Sequence, residues 1–313
     1  VGLLRLERSV KEKMSLISPD DKPLPANLIN ARPLIASINE FFRSNQLSTI
    51  LDDTNPLSEL DNLRRVSVLG PGGINRERAS FSIRDVNSSQ YGRIDPVRSP
   101  EGPNIGLVTY LALYARVNEY GFIETPYRKV EKIKKGKKTV VRVTNEIVYL
   151  AADAEEEYYV THSGVGKDRY GYLTDVRVPL RYRGNFIEGL VELVDFMDIS
   201  SDQVVGTSAS LIPFLAHDEG NRALMGSNMQ CQAVPLVSTE APIVGSGMEG
   251  AIAEGMGRLI RARHPGVVDY VDGERVEIKL SVKSKEQSLS EDIELKDAGK
   301  RDVYYLTKFK KTS

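Results

Sequence analysis

The chain has 313 residues, of which 41% are hydrophobic and 27% charged, and its formal net charge is −1. This composition is ordinary for a globular protein of two or three domains, and it excludes a general electrostatic attraction to nucleic acid or membrane. A single cysteine, Cys231, excludes an internal disulfide framework, and three widely spaced histidines argue against a His/Cys metal site. No apolar run reaches the length of a membrane span. We therefore expect a cytoplasmic protein with no membrane contact.

Helical patterns dominate the first part of the chain. Apolar residues at three- and four-residue spacing predict a helix over residues 3–17 with one buried stripe. A second helix is predicted from Pro33, and a short amphipathic segment over residues 46–53. Asn55 and Pro56 predict the restart of a helix, as its cap and first residue. The stripe expected to be buried in the second helix consists of Leu34, Ile38, Phe41 and Phe42.

Two runs dense in glycine and proline, residues 70–73 and 91–107, cannot form regular helix or sheet. Around them, guanidinium groups that can hold phosphate bidentately favour a nucleic-acid surface. The alternative is that these arginines tie loops to neighbouring carbonyls and carboxylates. Residues 79–86 alternate like a strand, and residues 107–117 are apolar enough to cross a core. The arginines concerned are Arg64, Arg65, Arg76, Arg78, Arg84, Arg93 and Arg98.

From residue 120 to about residue 195 the chain is rich in Tyr, Val, Ile and Thr, which predicts a small, mostly β domain. A hairpin with its tip at residues 135–137 is expected there. The lysines around this tip either hold phosphates or form a solvated hairpin end. They are Lys129, Lys132, Lys134, Lys135, Lys137 and Lys138.

A polar helix is predicted from Asp218, as its N-cap, to about Gln232. Its amide side chains recur on one face beside Arg222, which suits a polar ligand. The alternative is an amide face open to water. The residues that share this face are Asn221, Met225, Asn228 and Gln232.

The glycines at positions 245, 247 and 250 match the spacing of a dinucleotide-binding turn, which makes a dinucleotide-binding oxidoreductase a further alternative. Gly255, Gly257 and Pro265 argue against a regular βαβ unit there. Residues 267–280 predict a hairpin around Asp272-Gly273, and residues 281–300 predict a mobile loop.

Several long motifs carry a resemblance to one family, the β subunit of bacterial multisubunit RNA polymerase. They occur in the same order as in that family, and the resemblance extends from Val1 to about residue 308. The family's subunit is several times longer, so we expect this chain to be an internal piece of a longer protein. The motifs are DTNPLSEL (53–60), LGPGG (69–73), RER (76–78), YGRIDPVRSPEGPNIGL (91–107), NEYGFIETPYR (118–128), SASLIPFL (208–215) and NRALMGSNMQCQAVP (221–235).

The resemblance implies an α+β multidomain fold. Residues 1–107 would be the fork, or rifamycin-region, segment with mixed helices and strands. Residues 108–196 would be an external, mostly β domain. Residues 197–313 would begin the hybrid-binding domain and contain part of a double-psi β-barrel. The dinucleotide alternative becomes minor, because its glycines lie inside the resemblance.

The resemblance also implies a function in DNA-templated RNA synthesis. The chain would line the active-centre channel and contact the downstream DNA fork, the RNA–DNA hybrid and the incoming NTP. Arg222 matches the residue that reaches the triphosphate, and Gln232 a residue near the RNA 3′ end. The neighbours of Arg222 in the family's site match Glu219 and Asn221, the inner fork matches Glu101 and Asn104, and the fork-loop positions near the separating strands match Arg76 and Arg78.

The same family carries the rifamycin pocket in this region, and four positions depart from its pattern. Thr49 stands where the family usually has Gln, Ile50 where it has Phe, Asn62 where it has His, and Cys231 where it has Arg. Each change removes contact or hydrogen-bonding surface worth on the order of 1 kcal/mol, so we expect poor inhibition by rifamycins. The positions that agree with the family are Gln46, Leu47, Ser48, Asp52, Arg65, Ser67 and Leu69.

Nucleotidyl transfer uses two metal ions, and the sequence contains no tight cluster of aspartates that would hold them. In the family the Mg²⁺ is held by the β′ subunit. We therefore expect no catalytic residue, metal ligand or cofactor in this chain, and no activity without its partners. Those partners would be the β′, α and ω subunits, a sigma factor, the DNA template, the RNA–DNA hybrid and NTPs. A nucleic-acid-binding module without a catalytic role remains the alternative.

Overall fold

The computed structural model describes residues 1–18, 22–135, 138–257, 259–280 and 301–306. Two compact units are present, Val1–Met248 and Glu249–Ser313. The predicted mobile loop at residues 281–300 and the tip of the predicted lysine hairpin lie outside the described residues. None of the described helices is long and apolar enough to cross a bilayer.

The first unit begins with three helices, α1 (Gly2–Ser15), α2 (Pro25–Leu28) and α3 (Arg32–Ser44). Gly2 sets the approach of α1 to α3, because a Cβ atom there would lie 3.0 Å from the Cβ of Ser37. The two long helices confirm the prediction, but the predicted burial is wrong. The side chains of Ile38, Phe41 and Phe42 are all exposed, since among the described elements α1 makes the main contact with α3 and leaves these side chains uncovered.

Residues 46–53, predicted as a short amphipathic segment, form no regular helix or strand. Helix α4 (Pro56–Leu63) then begins as predicted, with Pro in its first turn and Asn55 as its cap. Asn55 and Ser58 form a reciprocal capping box, in which each side chain accepts from the backbone N–H of the other residue.

Strand β1 (Arg65–Ser67) precedes the first glycine- and proline-rich run, and β2 (Val108–Tyr110) follows the second. The two strands pair antiparallel. Leu69, Leu107 and Val108 form a small buried cluster behind this pair. The predicted crossing of the core after residue 107 is therefore confirmed.

The predicted strand over residues 79–86 is wrong. The chain there forms one helical turn, α5 (Phe81–Arg84), between Ser80 and Asp85. Alternation over so few residues fits a single helical turn as well as it fits a strand, and none of the described strands pairs with this segment.

A seven-stranded sheet forms most of the rest of the first unit. It has the order β3-β4-β9-β6-β7-β8, with β5 paired to β4, and only β6 and β9 run parallel. The β4–β5 pairing confirms the predicted hairpin. Helix α6 (Ala152–Glu155) connects β5 to β6. The strands are β3 (Arg116–Val117), β4 (Ile123–Lys135), β5 (Lys138–Leu150), β6 (Val160–Thr161), β7 (Arg177–Tyr182), β8 (Asn185–Leu190) and β9 (Phe196–Asp198).

After the sheet come α7 (Thr207–Ser210) and α8 (Gly220–Gln232). Helix α8 confirms the predicted polar helix and its end, but its N-cap is Glu219 and not Asp218. Among the described residues, no side chain caps the first turn of α8. Its small residues Ala223 and Ser227 are buried, which lets α8 pack closely on α4 and α7.

The second unit contains α9 (Glu249–Gly255) and an antiparallel sheet of β10 (Gly266–Val271), β11 (Arg275–Leu280) and β12 (Arg301–Tyr305). The Asp272 carboxylate accepts from the N–H groups of Glu274 and Arg275 at 2.7 Å, which confirms the predicted hairpin. The dinucleotide-binding unit is wrong, because residues 233–248 contain no strand and the described strands after α9 pair antiparallel. The mixed helices and sheets confirm an α+β chain, while the part of a double-psi barrel stays a prediction.

Candidate functional site

The C-terminal end of α8 is held by Asn55, the residue that caps α4. The Nδ2 group of Asn55 donates to the carbonyl oxygens of Gln230 and Cys231, both at 3.1 Å, and of Ala233 at 2.8 Å. One side chain thus satisfies the start of one helix and the last carbonyls of another. This fixes the end of α8 against α4.

Arg98, from the second glycine- and proline-rich run, is buried between α4 and α8. Its Nε lies 3.4 Å from the Asp61 carboxylate, and its Nη2 lies 3.4 Å from the sulfur of Cys231. Its Nη1 donates to Oδ1 of Asn228. The guanidinium carbon also lies 4.8 Å from the ring centroid of Tyr110. A buried guanidinium requires such partners, because desolvating an unpaired charge is costly.

Asp61 is satisfied from two further sides. Thr207 donates its hydroxyl to one carboxylate oxygen, and the thiol of Cys231 donates to the other at 3.1 Å. Burial, and secondly the charge of Asp61, raise the pKa of Cys231 to about 12. The sulfur is therefore a protonated donor near neutral pH and not a nucleophile.

The side-chain amide of Asn228 links these buried groups to residues at the surface. Its Nδ2 donates to the carbonyl of Ser99 at 3.3 Å and to the carboxylate of Glu101 at 3.2 Å. A cleft of about 330 Å³ opens beside this contact. Its lining brings the predicted site residues Glu101 and Gln232 together with Asp52 and Cys231 of the rifamycin set, and is completed by Arg98 and Asn228.

The other predicted nucleotide-binding residues lie at the exposed first turn of α8. Asn221 donates to the Glu219 carboxylate at 3.2 Å. The Nη1 of Arg222 lies 3.9 Å from the sulfur of Met225, and Arg222 makes no ion pair with any residue that the structure describes. At about 1.5 Å rise per residue, Arg222 is about 9 Å from Asn228 along the helix axis. A helix N-terminus and a free guanidinium together favour an anion.

Asn104 lies in the turn that closes the second run, where it is half-buried. Its backbone carbonyl accepts from the N–H groups of Leu107 at 3.0 Å and Val108 at 3.3 Å. Its side-chain Oδ1 is buried and has no hydrogen-bond partner in the described part of the chain. The structure does not bring this side chain into the cleft lined by Glu101.

Four of the seven arginines tie loops together, as the alternative reading expected. Besides Arg98, Arg64 donates to the carbonyl of Leu113 at 3.3 Å, and Arg84 donates to that of Ile105 at 2.7 Å. Arg93 pairs with Glu155 at 2.6 Å, and this carboxylate also lies 3.2 Å from Arg181 of the seven-stranded sheet. The remaining three, Arg65, Arg76 and Arg78, are exposed and make no side-chain hydrogen bond or ion pair within the described ranges.

The predicted fork arginines lie on a single turn of 3₁₀ helix, Arg76–Arg78, which Asn75 caps through the N–H of Glu77. Arg76 lines a second cleft, of about 370 Å³, together with Phe81 and Arg84. Phe81 itself is 87% exposed. This turn therefore presents both cationic and apolar surface.

Several of the rifamycin-region positions contact one other residue of the first unit. The side chain of Leu47 packs on Gly70, where a Cβ atom would lie 2.7 Å from its Cγ. Asn62 donates to the carbonyl of Ile50 at 3.4 Å. Ser48 donates to the carbonyl of Phe42 at 2.6 Å, and Ser67 accepts from the N–H of Leu69 at 3.2 Å. The side chains left exposed are Gln46, Leu47, Ser48, Thr49, Ile50, Asp52 and Arg65.

Two of the hairpin lysines are already paired: Lys129 lies 3.4 Å from Glu146, and Lys132 lies 2.8 Å from Asp195. These pairs favour the solvated-hairpin reading over a phosphate site. Across the described residues, no three His, Cys, Asp or Glu side chains come together as a metal site would require.

Comparison with known proteins gives two family matches. The family described as "RNA polymerase Rpb2, domain 3" matches residues 49–117, and "RNA polymerase beta subunit external 1 domain" matches residues 127–200. Over all 313 residues the chain is 50% identical to the "DNA-directed RNA polymerase subunit beta" of Acetivibrio thermocellus and 50% identical to that of Chelativorans sp.. It is 47% identical to that of Anaeromyxobacter sp.. The chain belongs to the bacterial RNA polymerase β-subunit family.

The chain spans 23%, 21% and 21% of the lengths of these β subunits, in the same order. The seven-stranded sheet falls largely within the external 1 match, and α4, β1 and β2 fall within the domain 3 match. Helix α8 lies outside both of these matches and is covered by the full-chain identity.

Sequence reasoning missed Asp61, the partners of Arg98 and the second role of Asn55 in this β-subunit segment. Asn55 was recognised as a helix cap, but the three carbonyls that it also holds are more than 170 residues away in the chain. Asp61 and Arg98 look like surface charges in the sequence. A signal was available only for Asn228, whose position on the amide face of α8 was predicted.

Proposed function

We propose that this chain forms part of the wall of the active-centre channel of a bacterial DNA-directed RNA polymerase. The observation that carries the proposal is the docking of α8 on residues 91–107, where Arg98 and Asn228 join the two segments. This docking places a free guanidinium at one end of a helix and a polar cleft at the other. Such a surface suits a nucleotide and the end of a nucleic-acid strand.

In this proposal Arg222, at the first turn of α8, holds the triphosphate of the incoming NTP. Because Arg222 forms no ion pair with the described residues, its N–H donors remain available to a phosphate. Glu219 and Asn221, hydrogen-bonded to each other beside it, shape the same turn. Gln232 would lie near the RNA 3′ end, and Glu101 and Asn104 of the inner fork would face the active centre.

Arg76 and Arg78 would contact the DNA fork. Both are exposed, unlike the loop-tying arginines, and are therefore free for phosphate contacts. The partners are the β′, α and ω subunits, a sigma factor, the DNA template and the RNA–DNA hybrid. The site of action is the nucleoid.

The chemical step is supplied by Mg²⁺ ions that the β′ subunit would hold, which align the 3′ hydroxyl and the α-phosphate. The present chain contributes charge and position. Arg222 neutralises the triphosphate, and the wall formed by α8 and residues 91–107 orients the substrates. The chain is not active alone in this proposal.

The test is a polymerase assembled with a β subunit that carries this segment and the substitution Arg222→Ala. A charge-assisted hydrogen bond is worth about 1.5–3 kcal/mol, so the KM for NTP should rise about ten- to a hundredfold. Arg177 is an exposed arginine on β7. The substitution Arg177→Ala is therefore the matched control and should leave the KM for NTP unchanged. Weaker binding of all nucleic acids at an unchanged KM would instead support a module without a role at the nucleotide.

A further inference from the structure

We propose that Arg98 is a positioning residue, which holds the Glu101 carboxylate in place through the amide of Asn228. The inference rests on the proposed function, because Glu101 faces the substrates only there. Arg98 itself touches no substrate. Its effect on RNA synthesis passes along a series of contacts that runs from Asp61 to Arg98, then to Asn228, and then to Glu101.

The first link is a rigid ion pair. The side chains of Arg98 and Asp61 are only 7% and 4% exposed. Asp61 is fixed on its other sides by the hydroxyl of Thr207 and the thiol of Cys231. Both groups are enclosed, and although Nε of Arg98 forms no hydrogen bond in the described part of the chain, Asp61, Cys231 and Asn228 together hold the guanidinium.

The second link is the orientation of an amide. A guanidinium only donates hydrogen bonds, so the oxygen of Asn228 must face Arg98. The nitrogen of the same amide must then face the carbonyl of Ser99 and the carboxylate of Glu101. Without Arg98 the amide oxygen loses its donor, and only the contacts of the nitrogen with Ser99 and Glu101 hold the amide in this direction.

The third link is the isolation of Glu101. Its side chain is exposed, and in the described part of the chain Asn228 is its one hydrogen-bond partner. A carboxylate held by a single contact keeps its rotamer only while that contact keeps its direction. Arg98 supplies this direction from inside the protein.

The small side chain of Cys231 is part of the same set of contacts. The sulfur of Cys231 lies 3.4 Å from Nη2 of Arg98, so an arginine at position 231 would place two guanidinium groups beside the one carboxylate of Asp61. Residues 228 and 231 are also one helical turn apart on α8, close enough for direct contact. An arginine at position 231 could therefore take over the Asn228 oxygen once Arg98 is removed.

The experiment uses the assembled polymerase and measures kcat and KM for single-nucleotide addition. Arg98→Met should raise the KM for NTP about tenfold with kcat within about twofold, the pattern of Glu101→Gln. Arg98→Met and Glu101→Gln together should raise KM no further than either alone, because both act at one carboxylate. Adding Cys231→Arg to Arg98→Met should restore KM in part, whereas Cys231→Arg alone should raise it.

Arg93→Met is the matched control, because Arg93 is a buried, paired arginine that faces Glu155 and the sheet. It should lower thermal stability and leave the KM for NTP unchanged. Equal KM values in the Arg93→Met and Arg98→Met enzymes, or fully additive effects of Arg98→Met and Glu101→Gln, would overturn the inference.

Two further comparisons keep the test decisive. If Arg98→Met does not assemble, Asn228→Asp retains the acceptor for Arg98 but repels Glu101, so it should raise KM more than Asn228→Ser. The reverse order would refute the relay. If Glu101→Gln leaves KM unchanged, the proposed role of Glu101 fails; if it raises KM and Arg98→Met does not, the relay alone fails.

Discussion

At the scale of single residues, Cys231 shows how burial sets chemistry. Burial and the charge of Asp61 raise its pKa from 9.0 to about 12, so the fold favours the protonated thiol. This contribution to stability is fully present below pH 9 and is lost as the pH rises toward 12. We expect alkylation of Cys231 by iodoacetamide in the folded polymerase to remain slow until the pH approaches 12, as measured by mass spectrometry of its peptide.

The same peptide in denaturant is the control, and its alkylation should inflect near the ordinary thiol pKa of 9.0. An inflection at that ordinary value in the folded enzyme would contradict the buried contact with Asp61. Removal of the carboxylate by Asp61→Asn should lower the inflection, but burial, the larger cause, should keep it above 9.0.

Residue roles could be predicted only in part. Arg222 was singled out because it stands beside an amide face, and it is exposed and unpaired among the described residues. Arg98 lies in an equally polar context but is 6% exposed. Its partners come from α4 and α8, and no local pattern announces a contact between segments so distant in the chain.

At the scale of elements, Asn55 couples α4 to α8. We predict that Asn55→Ala removes the cap of α4 and the support of three carbonyls of α8, at a cost of about 2 kcal/mol or more. Hydrogen exchange should therefore show about thirtyfold faster local opening of α8 in the variant.

Asn75→Ala is the matched control for this change. Asn75 is also an N-cap, but it serves only the turn Arg76–Arg78. Its loss should leave the protection of α8 unchanged. Undiminished protection of α8 in Asn55→Ala would show that the packing of Ala223 and Ser227 alone holds the helix.

Elements with strong local signals were predicted well. The Asn55-Pro56 start of α4, the β4–β5 hairpin and the Asp272-Gly273 turn each have a physical cause within a few residues. The error at α5 came from an alternation too short to separate a strand from a helical turn. The burial of α3 was also wrong, since amphipathic spacing shows which face is apolar but not whether anything covers it.

At the scale of the whole molecule, the altered rifamycin positions give a pharmacological prediction. Three positions, Thr49, Ile50 and Asn62, replace a longer amide, an aromatic ring and a histidine expected from the family, and Cys231 replaces an arginine. With each change worth on the order of 1 kcal/mol, rifamycin should inhibit the assembled polymerase about a hundredfold or more less effectively than it inhibits an enzyme with the family pattern.

Back-substitution is the control: Thr49→Gln, Ile50→Phe and Asn62→His together should restore much of the inhibition. Cys231 is left unchanged, because a second guanidinium would crowd Arg98. Inhibition of the unmodified enzyme at the usual low drug concentration would refute the prediction.

The whole site could be predicted only through the family resemblance. Composition and periodicity indicated separate helices and a β domain, but not that residues 91–107 and α8 share one cleft. The joining contacts run between residues more than 120 positions apart, such as Asn228 and Glu101. Spacing within one segment carries no information about such contacts.

The contact between Asp61 and the sulfur of Cys231 joins residues that are 170 positions apart. At a synthesis rate of about 5–20 residues per second, the second partner leaves the ribosome roughly 10–30 s after the first. During that time the ion pair of Asp61 and Arg98 is uncovered, because α8 has not yet been synthesised. The strands of the seven-stranded sheet, which ends at β9, are all synthesised within this interval, so the sheet can form before α8 closes the cleft.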